Sequence, residues 1–271
     1  MERVNPYYPI PTKIKKIIPE TPNITTFILD GKPIEFQAGQ FAELTIPGVG
    51  EAPFTPSSSP HNKDLEFTIM KVGRVTDALF GLDEGAVVGV RGPFGKPYPL
   101  NEFKGKEVFI VGGGVGFAPL RSLFLALVHD IKKYKKIYIR YGARSPKDIV
   151  YKKFIPEWQK IEGVDILLTV DVGDDTWKGR VGVVTTILDE IPVDLQTSPT
   201  VVCGPPLMMK FTTQRLVEAG FKDPNIYLSM EQNMSCGLGK CNHCRLGKIY
   251  VCKDGPVLTW KDIKDIEEPF L

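Results

Sequence analysis

Near residue 103 the hydrophobic pattern of this chain changes period, and that switch limits the folds open to it more than any other feature. Before it, short segments alternate apolar and polar residues: Thr12–Ile18, Ile24–Leu29, Phe41–Ile46, Leu65–Met70 and Val87–Arg91. Turn clusters such as Asp30-Gly31-Lys32-Pro33 and Pro47-Gly48-Val49-Gly50 separate them. Many short strands at close spacing predict an antiparallel barrel or sandwich. One helical signal, Thr76–Leu82 with Thr76 as its N-cap, interrupts the run. Beyond residue 103, predicted strands at Glu107–Val111, Lys136–Tyr141, Asp165–Val170 and Thr200–Cys203 alternate with helices. The helices are expected at Pro119–Ile131, near Ile149–Ile161, near Val183–Ile191 and near Pro206–Ala219. Such alternation predicts a doubly wound parallel sheet. The expected division is therefore 1–103, 104–225 and a last segment 226–271.

That last segment holds four of the five cysteines, Cys236, Cys241, Cys244 and Cys252, in a C-x4-C-x2-C-x7-C run. A [2Fe–2S] cluster takes four thiolates, and C-x4-C-x2-C…C is one spacing that supplies them. Gly237, Gly239 and Gly247 let the backbone wrap closely. Two other uses of the cysteines stay open. A structural zinc ion usually takes two short pairs, whereas only Cys241 and Cys244 form one here. Disulfides need an oxidising compartment, and the stretch Met1-Glu2-Arg3-Val4-Asn5-Pro6 has no apolar core of a signal peptide. His243 lies between two candidate ligands and reads as a loop residue, because four thiolates complete the set.

The formal net charge of +2, with no basic run interleaved by aromatics, argues against a nucleic-acid partner. The longest apolar run, around Val108–Val111, is strand-sized, so no transmembrane segment is expected. A cytoplasmic, reducing location is the expectation.

Gly112-Gly113-Gly114-Val115-Gly116 joins the first predicted parallel strand to its helix. Glycines there admit a phosphate to the backbone, and the helix N-terminus supplies free N–H groups. The match to G-x-G-x-x-G is imperfect, since Phe117 stands at the third glycine position. A tight turn without a ligand is the alternative. Cys203-Gly204-Pro205 ends a later strand on the same edge, where ligands of such sheets bind. Cys203 reads either as a small buried residue or as a group beside a bound nicotinamide.

Together these features resemble the ferredoxin–NADP reductase superfamily over nearly the whole chain. The resemblance is carried by Ala52-Pro53-Phe54-Thr55-Pro56-Ser57-Ser58-Ser59-Pro60, Lys71-Val72-Gly73-Arg74-Val75-Thr76 and Gly92-Pro93-Phe94-Gly95. The glycine loop, Cys203-Gly204-Pro205 and the four cysteines add to it. The branch it resembles carries a C-terminal [2Fe–2S] segment. That branch includes the electron-transfer subunit of dihydroorotate dehydrogenase, the gamma subunit of soluble [NiFe] hydrogenases (sulfhydrogenases) and the corresponding subunit of anaerobic sulfite reductase. A related bifurcating transhydrogenase has an aspartate at the first cluster position. Here that residue is Cys236.

The resemblance implies an N-terminal antiparallel Greek-key β-barrel holding FAD, then a doubly wound parallel α/β domain holding NAD(P)H. The family's R-x-Y-S flavin motif aligns with Ala52, Pro53, Phe54 and Thr55, so Thr55 would contact flavin N5 and Phe54 would pack on the cofactor. Ala52 replaces the family arginine, and Lys71 is the candidate substitute. Ile69, Met70, Gly73, Val75 and Thr76 complete the implied flavin site, and the surviving Gly73-Arg74-Val75-Thr76 stretch favours FAD over FMN. Arg144, in the loop after the second parallel strand, would meet the adenosine ribose and tilts the expectation toward NADPH. It could instead brace its own loop.

A nicotinamide exchanges two electrons at once and an iron–sulfur cluster one; a flavin does both and so lies between them. No general acid or base is needed, and His61, His129 and His243 are expected at the surface. The implied partners are the iron–sulfur subunits of a hetero-oligomeric redox complex, a hydrogenase or related reductase. A stand-alone NAD(P)H:ferredoxin reductase, the dihydroorotate dehydrogenase subunit and, more remotely, a zinc-bearing interaction module are the alternatives.

Overall fold

The computed structural model describes residues 5–188 and 191–270. Its N-terminal part is a six-stranded antiparallel sheet in the order β4-β3-β6-β1-β2-β5. The strands are β1 (Ile10–Thr21), β2 (Ile24–Leu29), β3 (Phe41–Ile46), β4 (Gly50–Phe54), β5 (Glu66–Met70) and β6 (Val87–Phe94). β6 returns to lie between β1 and β3, so strands distant in sequence become neighbours, as in a Greek key. Inward residues of alternate positions, Ile14, Phe27, Leu29, Leu44, Phe67, Ile69, Val88 and Val90, close one core. β4 escapes the alternation rule because Gly50 and Pro53 break its pattern. It is an edge strand paired only with β3, where proline's missing N–H is tolerated.

The helix expected at Thr76–Leu82 runs over Arg74–Phe80 (α1), and Thr76 is not its N-cap. Gly73 occupies that place. The Thr76 hydroxyl accepts from the N–H groups of Val72 and Gly73, both at 2.9 Å, tying down the entry to the helix from inside it.

The second sheet has seven strands in the order β10-β9-β8-β7-β11-β12-β15. They are β7 (Glu107–Gly113), β8 (Lys136–Ala143), β9 (Val164–Val170), β10 (Arg180–Val181), β11 (Thr200–Cys203), β12 (Ile226–Ser229) and β15 (Val257–Thr259), all parallel except β15. Both faces are covered, as parallel sheets require. Along β7, Val108 and Ile110 pack toward helix α3 (Phe117–His129), while Phe109 and Val111 pack toward helix α5 (Pro206–Glu218). A four-residue helix, α2 (Leu100–Phe103), links the two sheets.

Two expected helices shrink. Near Ile149–Ile161 only α4 (Ile155–Trp158) forms. Tyr151 holds φ at +56°, and Pro156 is confined to a first helical turn because it lacks an N–H. Near Val183–Ile191 there is a single 3₁₀ turn, Val184–Ile187, in a β-branched run that disfavours α-helix. Asp189 and Glu190 of that stretch lie outside the described residues.

The segment 226–271 supplies β12 and β15 to the parallel sheet. Between them it carries the cysteine loop, the short hairpin β13 (Arg245–Leu246) and β14 (Ile249–Tyr250), and α6 (Val251–Asp254); α7 (Trp260–Ile263) follows β15. No helix among the described residues is long and apolar enough to cross a membrane.

The two sheets are joined through α3. Arg121 donates to the Ser57 carbonyl at 2.9 Å and to Glu66 at 2.5 Å, and lies over the Tyr151 ring. The Tyr151 hydroxyl donates to Thr68 at 2.6 Å.

Candidate functional site

At the carboxyl edge of the parallel sheet a cleft of about 1040 Å³ opens. It is lined by Gly113, Gly114, Val115, Arg144 and Pro205, and by Met70 from the barrel. The fold thus brings together residues of the glycine loop, of the loop after β8 and of the turn after β11 that are far apart in sequence. The glycines divide their work. Gly114 holds φ at +53° and faces open space. Gly116 packs on Gly204, whose backbone would lie 2.6 Å from any added Cβ. At Gly112 a Cβ would meet the Phe117 ring at 2.9 Å. Phe117, the departure from the glycine pattern, is buried and stacks on Tyr141 at 4.5 Å, so the loop keeps a glycine where that ring presses. The N-terminus of α5, with Pro206 in its first turn, opens beside Pro205 on the same edge.

Arg144 is exposed in this cleft, and no ion pair among the described residues holds it. Asp148 is already engaged, accepting the Ser145 hydroxyl at 2.5 Å. Asp171, at the end of β9, also lines the cleft, an acidic neighbour that sequence reasoning did not single out. Cys203 is buried against Ser229 and Tyr98 rather than lining the cleft, and burial pushes its thiol up to about 12.

The implied flavin residues sit at the ends of β4 and β5 and at the start of α1. Phe54 and Val75 are half-buried against the barrel core. The Thr55 hydroxyl, also half-buried, has no hydrogen-bond partner among the described residues and is available to a ligand. Ile69 is buried in that core, whereas Met70 reaches the cleft. Lys71 is exposed, its ammonium 4.0 Å from Asp77. Thr76 consumes the N–H groups of Val72 and Gly73, and the first-turn N–H groups of Arg74 and Val75 have no intrahelical acceptor.

All four cysteines of the C-terminal loop are free thiols; Cys244 and Cys252 are buried, Cys236 and Cys241 half-buried. Backbone N–H groups converge on the sulfurs: Leu238 at 3.3 Å and Lys240 at 3.4 Å from Cys236 Sγ, and Gly239 at 3.1 Å from Cys252 Sγ. Burial opposes ionisation of Cys236, but the Leu238, Lys240 and Cys241 amides outweigh it and draw the thiol down to about 6. Cys252 is pushed up to about 12 by burial and by its hydrogen bond with Cys244. The thiols are thus linked in two pairs, Cys236 with Cys241 and Cys244 with Cys252. A four-thiolate site, with amides aimed at sulfur and positive-φ residues Gly237, Gly239, Asn242 and Gly247 shaping the wrap, fits a two-iron cluster. Among the described residues no three His, Cys, Asp or Glu side chains converge on a single ion.

Beneath this loop lies a feature the sequence reading missed. Arg91 of β6 is buried and forms a fork onto Glu51, with N···O distances of 2.7–3.1 Å. Its remaining N–H groups donate to the carbonyls of Ser235 at 3.1 Å, Cys236 at 3.2 Å and Pro6 at 3.3 Å. Across the strand pair sits Glu43, in register with Arg91 and fully buried, with neither carboxylate oxygen hydrogen-bonded. Burial raises its carboxyl to about 8, with Arg91 pulling the other way. The available signal was an opposite-charge pair at matching positions of two alternating strands.

His61 and His129 stack on each other at the surface, 3.8 Å apart, and His243 pairs with the Ser235 hydroxyl at 2.9 Å.

Comparison with known proteins bears on the parallel-sheet region and on the cysteine segment. Residues 110–214 match the oxidoreductase NAD-binding domain family, and residues 231–264 match the iron–sulfur cluster binding domain of dihydroorotate dehydrogenase B. The chain is 36% identical over 253 residues to sulfhydrogenase 1 subunit gamma of Pyrococcus furiosus, covering 90% of this chain and 86% of that protein. It is 34% identical over 233 residues to "Probable dihydroorotate dehydrogenase B (NAD(+)), electron transfer subunit" of Methanocaldococcus jannaschii, covering 86% and 82%. Among solved structures, a chain of the NADH-dependent reduced ferredoxin-NADP oxidoreductase superposes with a TM-score of 0.78 at 25% identity, covering 94% of this chain and 89% of that one.

Proposed function

Because the chain belongs to the family of sulfhydrogenase gamma and dihydroorotate dehydrogenase B electron-transfer subunits, we propose that it passes electrons between NAD(P)H, FAD and a [2Fe–2S] cluster. The electrons go to or come from iron–sulfur subunits of a cytoplasmic hetero-oligomeric complex, a hydrogenase or related reductase. A bound flavin exchanges a hydride with nicotinamide and single electrons with an iron–sulfur centre.

One observation carries this reading: the three sites are contiguous. Met70, at the end of β5, lines the nucleotide cleft with Gly113, Gly114 and Val115. Glu51, one residue before the Ala52–Thr55 motif, is tied through Arg91 to the Cys236 carbonyl. In this reading Gly114 and the α5 N-terminus take the dinucleotide's pyrophosphate. Phe54 packs on the flavin and Thr55 hydrogen-bonds it, while Val75 and the first turn of α1 take its phosphates, with Lys71 alongside. Cys236, Cys241, Cys244 and Cys252 are the cluster ligands.

The cysteine face suits a protein acceptor. From Ser235 to Lys253 the chain carries Lys240, Arg245, Lys248 and Lys253 and no acidic residue. None of these four is in an ion pair among the described residues, and Lys240 lies over the ring of exposed Tyr7. An acidic partner surface complements this face.

Purification with cofactors intact tests the reading. Acid extraction should release FAD, and iron and acid-labile sulfide should be present in equal amounts. Stoichiometric zinc without sulfide, or no flavin after reconstitution, overturns it. Co-purifying subunits would separate a hydrogenase from a dihydroorotate dehydrogenase.

Arg144 is assigned the 2′-phosphate of NADPH, on its exposed position in the cleft, unpaired among the described residues. Arg144→Ala should lower kcat/KM for NADPH about ten-fold or more and leave NADH nearly unchanged, as expected for one charge-assisted contact. Equal losses for both, or a wild-type preference for NADH, would transfer the ribose contact to Asp171.

A further inference from the structure

We infer that Arg91 is a positioning residue for the cluster: one buried guanidinium locks the cysteine loop to the strand carrying the flavin motif and places a positive charge beneath Cys236. The inference rests on the electron-transfer reading above.

A guanidinium has five N–H donors in a planar fork, and here all are engaged. They bridge three segments: Glu51 on β4, Ser235 and Cys236 at the head of the cysteine loop, and Pro6 of the N-terminal stretch. The bonds to the loop span 144 and 145 residues of sequence, so no local preference brings these groups together. Arg91 is only 5% exposed, and burying a charge is tolerated only when partners satisfy it throughout. Glu51 supplies the counter-charge. Burial pushes its carboxyl up, but the Arg91 and Thr45 hydrogen bonds outweigh that and hold it below the usual range.

The neighbouring contacts act the same way. Arg91 lies over the Phe94 ring at 5.2 Å, and that ring presses on Gly237, where a Cβ would come within 2.7 Å. Three residues of β6 and its extension therefore hold the loop: Arg91 by its carbonyls, Phe94 under Gly237, and Lys96 by its N–H to the Gly255 carbonyl at 2.5 Å. Of these only Arg91 brings its charge to a cysteine's own backbone. That charge favours the reduced cluster, which carries one more negative charge than the oxidised form. Lysine cannot substitute for the fork, because a point charge with three donors on a flexible stem does not bridge three segments at once.

Three variants separate clamp from charge. Arg91→Lys keeps the charge and loses the fork. Arg91→Met loses both. Glu51→Gln keeps the guanidinium but weakens its anchor. Each is purified with cofactors and read by labile sulfide content, the EPR spectrum of the dithionite-reduced protein, cluster midpoint potential and the rate of iron loss to a chelator. Iron loss should quicken about ten-fold in all three. The midpoint potential should move to more negative values in Arg91→Met while Arg91→Lys stays near wild type. Wild-type iron-loss rates in Arg91→Lys and Glu51→Gln, or a wild-type midpoint potential in a folded Arg91→Met, overturn the inference. If Arg91→Met does not fold, iron loss in the other two variants decides the matter. A wild-type protein lacking labile sulfide would instead defeat the cluster reading itself.

Discussion

Cys241→Ala should leave the chain folded and strip it of iron and acid-labile sulfide. Among the four proposed ligands it makes a clean test, because its side chain is half-exposed. Cys244 and Cys252, by contrast, are buried in the core with Val251, Leu246 and Leu258. Truncating either buried cysteine adds a packing loss of about 1 kcal/mol or more to any loss of metal. Removing the Cys241 side chain takes away one thiol of four and a hydrogen bond that adds to the Leu238 and Lys240 amides in lowering Cys236. The EPR signal of the reduced cluster should disappear, and electron delivery to a protein acceptor should fall to background. Reduction of a two-electron dye by NAD(P)H should persist, since that route ends at the flavin. Loss of one zinc per chain in the variant, with no sulfide in the wild type, would show a structural metal instead.

Glu43→Gln should gain stability over wild type as pH rises from about 5 to 8. The folded carboxyl keeps its proton up to about pH 8, against an ordinary value of 4.5. Between these values the native state binds a proton that the unfolded state has released, so native stability falls as pH rises. By pH 7 the loss is on the order of 3 kcal/mol from a shift of this size. The groups facing it are Arg91, which lowers the shift, and Glu51 and Cys236, which add to it. Glutamine has nearly the same shape and no proton to release, so its unfolding midpoint should be flatter across this range. Parallel wild-type and variant profiles in chemical unfolding would place the ionised carboxylate in the native state and contradict the assignment.

Glu43 also shows where sequence reading stops. Along β3, Ala42 and Leu44 face the barrel core, and alternation sends Glu43 outward, where an antiparallel sheet usually meets water. Instead Phe41 and Phe94 on that outer face pack into the same cluster as Cys244 and Cys252, so the face is covered and Glu43 buried. The covering segment lies nearly 200 residues further along the chain. Period-2 alternation tells which residues share a face; it is silent on what lies over that face.

What the sequence determined by itself was local. Hydrophobic periods placed β2, β3 and β11 at their observed limits and most of the other predicted strands within two residues. Cysteine spacing and the glycine loop marked two candidate sites because their chemistry demands residues close together in the chain. Helices failed where Tyr151, Pro156 and a β-branched run overrode apolar spacing. Only the tertiary structure decided which long-range groups meet. It set Met70 beside the glycine loop, continued the parallel sheet into β12 and β15, and placed Arg91 under Cys236. The physical reason is that periodicity and turn preference act over a few residues, whereas a buried ion pair or a shared cleft depends on packing whole domains. In that packing each group's worth is fixed by what covers it.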